Sequence, residues 1–478
     1  MTVEQGVLSF KVESAKAGSL TSYGGVPIVT ELCRRLFGRR EYRTLGRRLG
    51  GSKPTVVRRH LESLLALVVS GGDCIEDIER LRADGGLSRL LGFKPSGRTQ
   101  LKTFLYGFHQ GADGHLLTAT QDDELSRQGK ARIRPEGPGL GALAGLNAEV
   151  VAALQRRRPT PRATLDVDAT IIEASKVRAL RAYEGTRGYQ PQVALWAEQG
   201  VVVEDEFRDA NVPAAYGVRD FLVRAFGKLP APVTERRLRG DSALYDESAL
   251  TWADEQGIQF AVTADMSEAL AGHVARIDET AWKPYLGAAE SEGHVGSEER
   301  QWAEVTSFVP AWARNHKKSG RALRYVAIRV RPRQQDLFGN ASHTWRHFSI
   351  VSNLYEWDGG RLLHWHREKA GTVEHVFAEV KGELGGGTMP TGKFGSNAAW
   401  WRITLLAYNL LRLLKVEALP AELHATRPKG LRFHLFNIAG TVVRTGGRLL
   451  LRLPVSTMEL ARLTRARIAI AALPRPAS

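Results

Sequence analysis

Cysteine is nearly missing from this chain: Cys33 and Cys74 are the only two, too few for a disulfide framework or a zinc ribbon. Nor is there a run of about 18 apolar residues of the kind that spans a bilayer, so no membrane partner is expected. Met1-Thr2-Val3-Glu4-Gln5 has neither a basic leader nor an apolar stretch, and nothing there suggests export. Acidic residues are in deficit, 51 Asp+Glu against 67 Lys+Arg, which leaves a formal net charge of +16. Such an excess favours a polyanionic partner, and without a membrane segment that partner reads as nucleic acid.

Three familiar chemistries also lack a part. Gly387-Thr388-Met389-Pro390-Thr391-Gly392-Lys393 has the spacing of a phosphate loop, but Phe394 stands where Ser or Thr must reach Mg²⁺. His343 with His347, and His364 with His366, are pairs without a third ligand at metal spacing. No Gly-x-Ser-x-Gly nucleophile elbow occurs.

What is present is a set of acids on elements far apart in the chain. In Thr164-Leu165-Asp166-Val167-Asp168-Ala169-Thr170, acid and apolar residues alternate with the period of a strand, so both acids project from one face. Glu235 to Asp241 reads as a second strand, whose Arg239-Gly240-Asp241-Ser242 end puts an acid at the start of a loop. Val373, Val376, Phe377, Val380 and Leu384 recur at helical spacing. Glu374 lies at the margin of that stripe, with Lys381 stacked seven positions on. Two strand-end carboxylates and one helical carboxylate are a hard-oxygen set suited to two Mg²⁺ ions about 3.5–4 Å apart, the arrangement that serves phosphoryl transfer. Taken singly, each acid is also explained as a cap, a turn residue or a solvated side chain.

The combination resembles DDE transposases of bacterial insertion sequences, specifically the group-one DDE domain of the RNase H-like superfamily. The resemblance is carried by Leu165 to Thr170, by Tyr183-Glu184-Gly185-Thr186-Arg187-Gly188-Tyr189-Gln190-Pro191, by Phe207-Arg208-Asp209-Ala210-Asn211-Val212-Pro213, by Arg239 to Ser242, and by Val373-Glu374-His375-Val376-Phe377-Ala378-Glu379-Val380-Lys381. It runs from about Thr164 to Lys415. It implies Asp168, Asp241 and Glu374 as catalytic and metal-binding acids, with Asp166 the competing first acid and Mg²⁺, or Mn²⁺ in its place, as the cofactor. Lys381 keeps the lysine that the superfamily often shows after the third acid. The accompanying Tyr and Arg are not in place, and His366, Arg367 and Lys369 lie nearby instead.

The implied activity is cutting at element ends and strand transfer into target DNA. The implied setting is a homodimer on double-stranded DNA, bearing terminal repeats and target, in a cytoplasmic, nucleoid-associated protein. Alternatives are an inactive or domesticated DNA-binding regulator and a metal nuclease without strand transfer.

With 478 residues, 43% of them hydrophobic, the chain is long enough for several domains. The expected class is α/β: an RNase H-like mixed sheet core with a mainly β insertion, plus a helical N-terminal DNA-binding region. The expected divisions are 1–158 helical and DNA-binding, 159–266 the first part of the core, 267–357 the insertion, 358–420 the second part with the Glu374 helix, and 421–478 a C-terminal region. Leu45 to Leu61 has the look of a helix-turn-helix, with Ser52 placed to cap its second helix and Arg47, Arg48, Arg58 and Arg59 toward DNA. Arg367, Lys369 and Lys381 are further expected DNA contacts. The Gly and Pro cluster from Arg134 to Gly145 reads as a linker. Trp302, Trp312 and Trp345 are candidates to stack on a displaced base, although tryptophan in a small sheet is more often core.

Overall fold

The computed structural model describes residues 19–127, 131–182, 184–285, 298–314, 323–332 and 344–474. Met1 to Gln5, Tyr183 and His343 lie outside them.

The acid-bearing segment of the first motif forms strand β1 (Arg162–Ala169), followed in the same sheet by β2 (Gln192–Trp196), β3 (Val201–Glu206), β4 (Glu235–Gly240) and β5 (Gln259–Ala264). Their spatial order is β3-β2-β1-β4-β5. β1, β4 and β5 run parallel, while β2 is antiparallel to both β1 and β3. The tight turn between β2 and β3 explains that antiparallel pair, whereas helices Val218–Gly227 and Glu247–Glu255 make the longer crossovers that parallel strands need. β1 and β4 fall where alternation and the Arg239 to Ser242 turn signal place strands.

The region between Asp241 and Glu374 differs in one respect from a separate inserted subdomain. Its strands β6 (Lys283–Pro284), β7 (Glu298–Val305), β8 (Arg324–Pro332) and β9 (Arg346–Ser352) continue the core sheet, giving the nine-stranded order β6-β7-β8-β9-β5-β4-β1-β2-β3. β9 docks on the β5 edge through Ser349 to Ser352 against Ala261 to Ala264. The free edge of β5 presented unpaired N–H and C=O groups, and β9 satisfies them.

The opposite edge, β3, is closed by side chains. Asn409 Oδ1 accepts from Val202 N at 2.9 Å, and Asn409 Nδ2 and Asn147 Nδ2 each donate to Val202 O at 2.8 Å. Both asparagines are on helices, Pro138–Arg157 and Phe394–Ala418, which pack along β3 with their apolar faces. Arg402 of the longer helix is 3% exposed and pairs with Asp205 at 2.8 Å and Glu136 at 2.8 Å.

Glu136 falls in the stretch read as a linker, and the structure corrects that reading. Arg134 is buried between Asp122 at 2.8 Å and Asp209 at 2.6 Å, and Pro138 starts a helix at its first turn. The glycines serve close packing: a Cβ on Gly139 would lie 2.8 Å from Leu49 and 2.9 Å from Gln110. The apolar core is accordingly continuous from the N-terminal helices into the sheet.

Helices Arg39–Arg48 and Pro54–Ser70 flank Gly50 and Gly51, both with positive φ, a turn that glycine adopts without penalty. Ser52 does not cap the second helix. Lys53 is its N-cap, and Pro54 at the first position removes one of the N–H groups a cap would serve.

Candidate active site

β1 and β4 present a ladder of facing side chains on one side of the sheet. Their parallel register pairs Arg162 with Glu235, Thr164 with Arg237 and Asp166 with Arg239. The last pair is Val167 with Gly240; Asp168 and Asp241 follow on the two chains, Asp241 as the first residue past β4, close enough that the Asp168 charge acts on Asp241. Of these rungs, Arg162–Glu235 and Asp166–Arg239 are salt bridges, at 2.8 and 2.6 Å. Just beyond the paired residues, acid stands near acid. Gly240 precedes Asp241 because a Cβ there would lie 2.5 Å from Leu244, in the short turn that Asp241 begins.

Asp166 is fully buried and committed. Arg239 grips it with two bonds, at 2.6 and 2.9 Å, and the Thr372 hydroxyl donates to its second oxygen. Arg239 itself is held by the Trp365 carbonyl and Glu368, each at 2.6 Å. Asp166 accepts these three bonds and has no exposed surface, so an outside partner would have to open this cluster to reach it.

Asp168 and Asp241 are placed differently. Asp168 is part-exposed, with one oxygen on the Ala169 N–H at 2.8 Å and the other on the Lys369 ammonium at 3.0 Å. Asp241 uses one oxygen to cap the Ser242–Leu244 turn at Ala243 N, 3.1 Å. Burial raises its carboxyl above the usual range; the Lys369 charge opposes that shift and the Asp168 charge adds to it. Behind Asp241, the His366 Nε2–H donates to the Gly240 carbonyl at 3.0 Å. Burial lowers this imidazole to about 4, which keeps it neutral and suits it to bracing the backbone.

Glu374 is exposed on helix Val373–Glu383. That helix is tied to β1 on both sides of Asp168: Thr372, just before it, reaches Asp166, and Lys381 donates to Thr170 Oγ1 at 2.9 Å and the Ile171 carbonyl at 2.7 Å. Glu374 shares the helix face of Lys381, on a helix held along β1. Asp168, Asp241 and Glu374 do not form a closed ligand trio. Among the described residues, the three His, Cys or acidic groups whose ligand atoms lie within 4.8 Å of one another are Asp73, Cys74 and Asp77. There Asp77 accepts from the Asp73 and Cys74 N–H groups as a helix-start cap.

Of the residues expected on DNA, Arg47, Arg48, Arg59 and Arg367 are exposed, and Arg58 is half-exposed, 3.8 Å from Glu62. Arg367 lies over the Tyr285 ring at 5.7 Å. Lys369 is 8% exposed, turned to Asp168 as described, and Lys381 is turned to Thr170. Trp302 is 5% exposed, in the core of the extended sheet, and Trp345 stacks under Arg329 and Arg331 at 4.5 and 4.4 Å. Trp312 is half-buried. Sequence reasoning missed the roles of Arg239, Thr372 and His366. For Arg239 a signal existed: it stands two positions before Asp241, as Asp166 stands two before Asp168, so in-phase strands face them.

The family model described as transposase DDE domain group 1 matches residues 9–475. The chain belongs to this family. The match takes in the N-terminal helices and the C-terminal region that lay outside the motif-based resemblance. Among curated proteins, no sequence matches. Among solved structures, the chain is similar to a piggyBac transposase in a synaptic complex with hairpin DNA, seen by cryo-EM, at 10% identity and a TM-score of 0.36, covering 67% of this chain. The alignment spans 59% of that chain's length. Group-one DDE transposases are DNA-transposition proteins as a family. Among the described residues of this one, no helix is long and apolar enough to cross a membrane.

Proposed function

We propose that this chain is a DNA transposase whose RNase H-like core cleaves element ends and transfers the freed strands to target DNA, with Asp168, Asp241 and Glu374 as its acids. The observation that carries the reading is the pair of acids at the ends of two parallel strands, beside a helix that presents a third acid. The strand order β3-β2-β1-β4-β5, with β2 alone antiparallel to both neighbours, supports the RNase H-like assignment. Asp168 is the first acid in this reading because Asp166 is consumed by Arg239 and Thr372.

The donor set fits a hard divalent cation. Two adjacent carboxylates, one with proton affinity raised by burial, call for positive charge, and all available donors are oxygens. Asp168, Asp241 and Glu374 would hold Mg²⁺, or Mn²⁺, which when bound activates water or a 3′-hydroxyl and stabilises the leaving oxygen. The protein's own contribution is placement. The parallel ladder fixes the spacing of the two aspartates, His366 braces the Gly240 backbone, and Thr372 and Lys381 lock the Glu374 helix along β1. The exposed arginines Arg47, Arg48, Arg58, Arg59 and Arg367 would neutralise phosphates, so affinity for DNA would fall steeply with salt. A homodimer would let two ends be cut together.

The test uses the full chain with Mg²⁺ and end-labelled duplexes taken from the flanks of its own coding sequence. The expected result is nicking followed by joined products, both lost by about 10³-fold or more in Asp241→Ala and Glu374→Gln. Binding without nicking in the unaltered protein would identify a regulator instead, and nicking without joined products a nuclease.

A further inference from the structure

Lys369 is built into the acidic end of the sheet. It is 8% exposed, and a lysine is seldom buried unless its charge is matched. The turn that carries it, Glu368–Gly371, is fixed on both sides, by Glu368 on Arg239 and by Thr372 on Asp166. Its Nζ lies 3.0 Å from Asp168 Oδ2, and its charge also acts on Asp241. The ammonium therefore occupies the one oxygen of Asp168 not committed to the neighbouring N–H, on the carboxylate that would hold a metal ion in the reading above.

We propose that Lys369 is the resident counter-cation of the metal-free site, and that divalent metal must displace it from Asp168 to bind. This rests on the metal-site reading above. The amine satisfies the aspartate pair while no metal is held, and it weakens metal binding by competing for the same carboxylate. Its anchor is the backbone of a fixed turn, but its four-carbon stem is flexible, so the ammonium can swing out without undoing the Arg239 cluster. Two carboxylates facing each other with no cation would otherwise repel. A lysine meets that need with one charge and no hydration cost on release, since the freed ammonium returns to water.

The experiment measures Mn²⁺ binding to the full-length protein by counting free Mn²⁺ with electron paramagnetic resonance. In Lys369→Gln and Lys369→Met, the Mn²⁺ Kd is expected to fall by roughly tenfold, because a competing positive charge within a few ångströms has been removed. Lys369→Arg is expected to leave binding weak. Unchanged or weaker Mn²⁺ binding in a folded Lys369→Gln protein overturns the proposal. Should both neutral variants fail to fold, acylation of the unaltered protein decides it. Lys369 is expected to react slowly without metal and several-fold faster in Mg²⁺, and a rate indifferent to Mg²⁺ counts against displacement. Failure of the underlying metal reading looks different: the unaltered protein, Asp168→Asn and Asp241→Asn would then all bind Mn²⁺ alike.

Discussion

Two acids on one face of the same strand have opposite characters. Asp166 faces Arg239, is fully buried, and has both oxygens satisfied. Asp168, two residues on, stands near Asp241, and a lysine from a distant turn must balance the pair. Both acids lie on the same face of β1, but Asp166 is paired within the ladder while Asp168 stands at its end, where Asp241 begins a turn. What separates them is the partner, Arg239 from β4 in one case and Asp241 just past it in the other. A buried ion pair closes a rung, whereas like charges left facing each other are a local defect that natural sequences keep at functional sites. The comparison teaches that the Asp166–Arg239 rung holds the acid pair in position. Arg239 ties β1, β4 and the Trp365–Glu368 segment together directly beneath the site.

The contrast can be broken most forcefully at Arg239. Arg239→Met leaves Asp166 buried without its counter-ion and is expected to cost about 3–5 kcal/mol in urea unfolding at pH 7. Adding Asp166→Leu to that variant should recover a large part of the loss, because the stranded charge is then gone. A cost near zero for the single change would mean the rung is not the anchor described.

The acid pair should respond with the opposite sign. Burial raises the Asp241 carboxyl, so its ionised form is disfavoured in the folded protein, and stability falls as pH rises from the ordinary carboxylate pKa through the folded one. Asp241→Asn is therefore expected to stabilise the metal-free protein at neutral pH by about 0.5–2 kcal/mol while abolishing cleavage. A destabilised variant would show that the capping bond to Ala243, and not acid repulsion, dominates there.

The smallest effect concerns His366. Its imidazole is held down to about 4 from an ordinary 6.5, so the unfolded chain binds the proton more readily between those values. Its contribution to stability is complete above about pH 6.5 and is lost as pH falls toward 4. An NMR titration of its ring should show no inflection near neutrality, and an inflection at the ordinary value would contradict its role as a neutral donor to Gly240.

Much of this was written in local patterns. Alternation in Leu165 to Asp168 requires a strand with two acids on one face, because successive side chains point to opposite sides. The apolar stripe from Val373 to Leu384 likewise requires a helix with Glu374 at its margin; these features sufficed to nominate three acids, and the motifs around them carried the resemblance to the family. Periodicity alone did not separate Asp166 from Asp168, since both satisfy it; only the resemblance favoured Asp168. Register across the β1–β4 ladder sets Asp166 against Arg239, and register depends on how two distant strands settle against each other. Lys369 read as an outward basic residue by its charge, and became an internal counter-ion because its turn folds onto β1. The Arg134–Gly145 stretch has linker composition, yet Arg134 and Glu136 find buried partners supplied by Asp209, Asp205's neighbour Arg402, and the helix of Asp122. Sequence alone determined which elements form and which acids the chain has to offer, because those follow from the periodicity of neighbours along the backbone. Tertiary structure alone decided which acid is neutralised and which is left in need of a cation, because the energy of a charge is set by what stands opposite it in space.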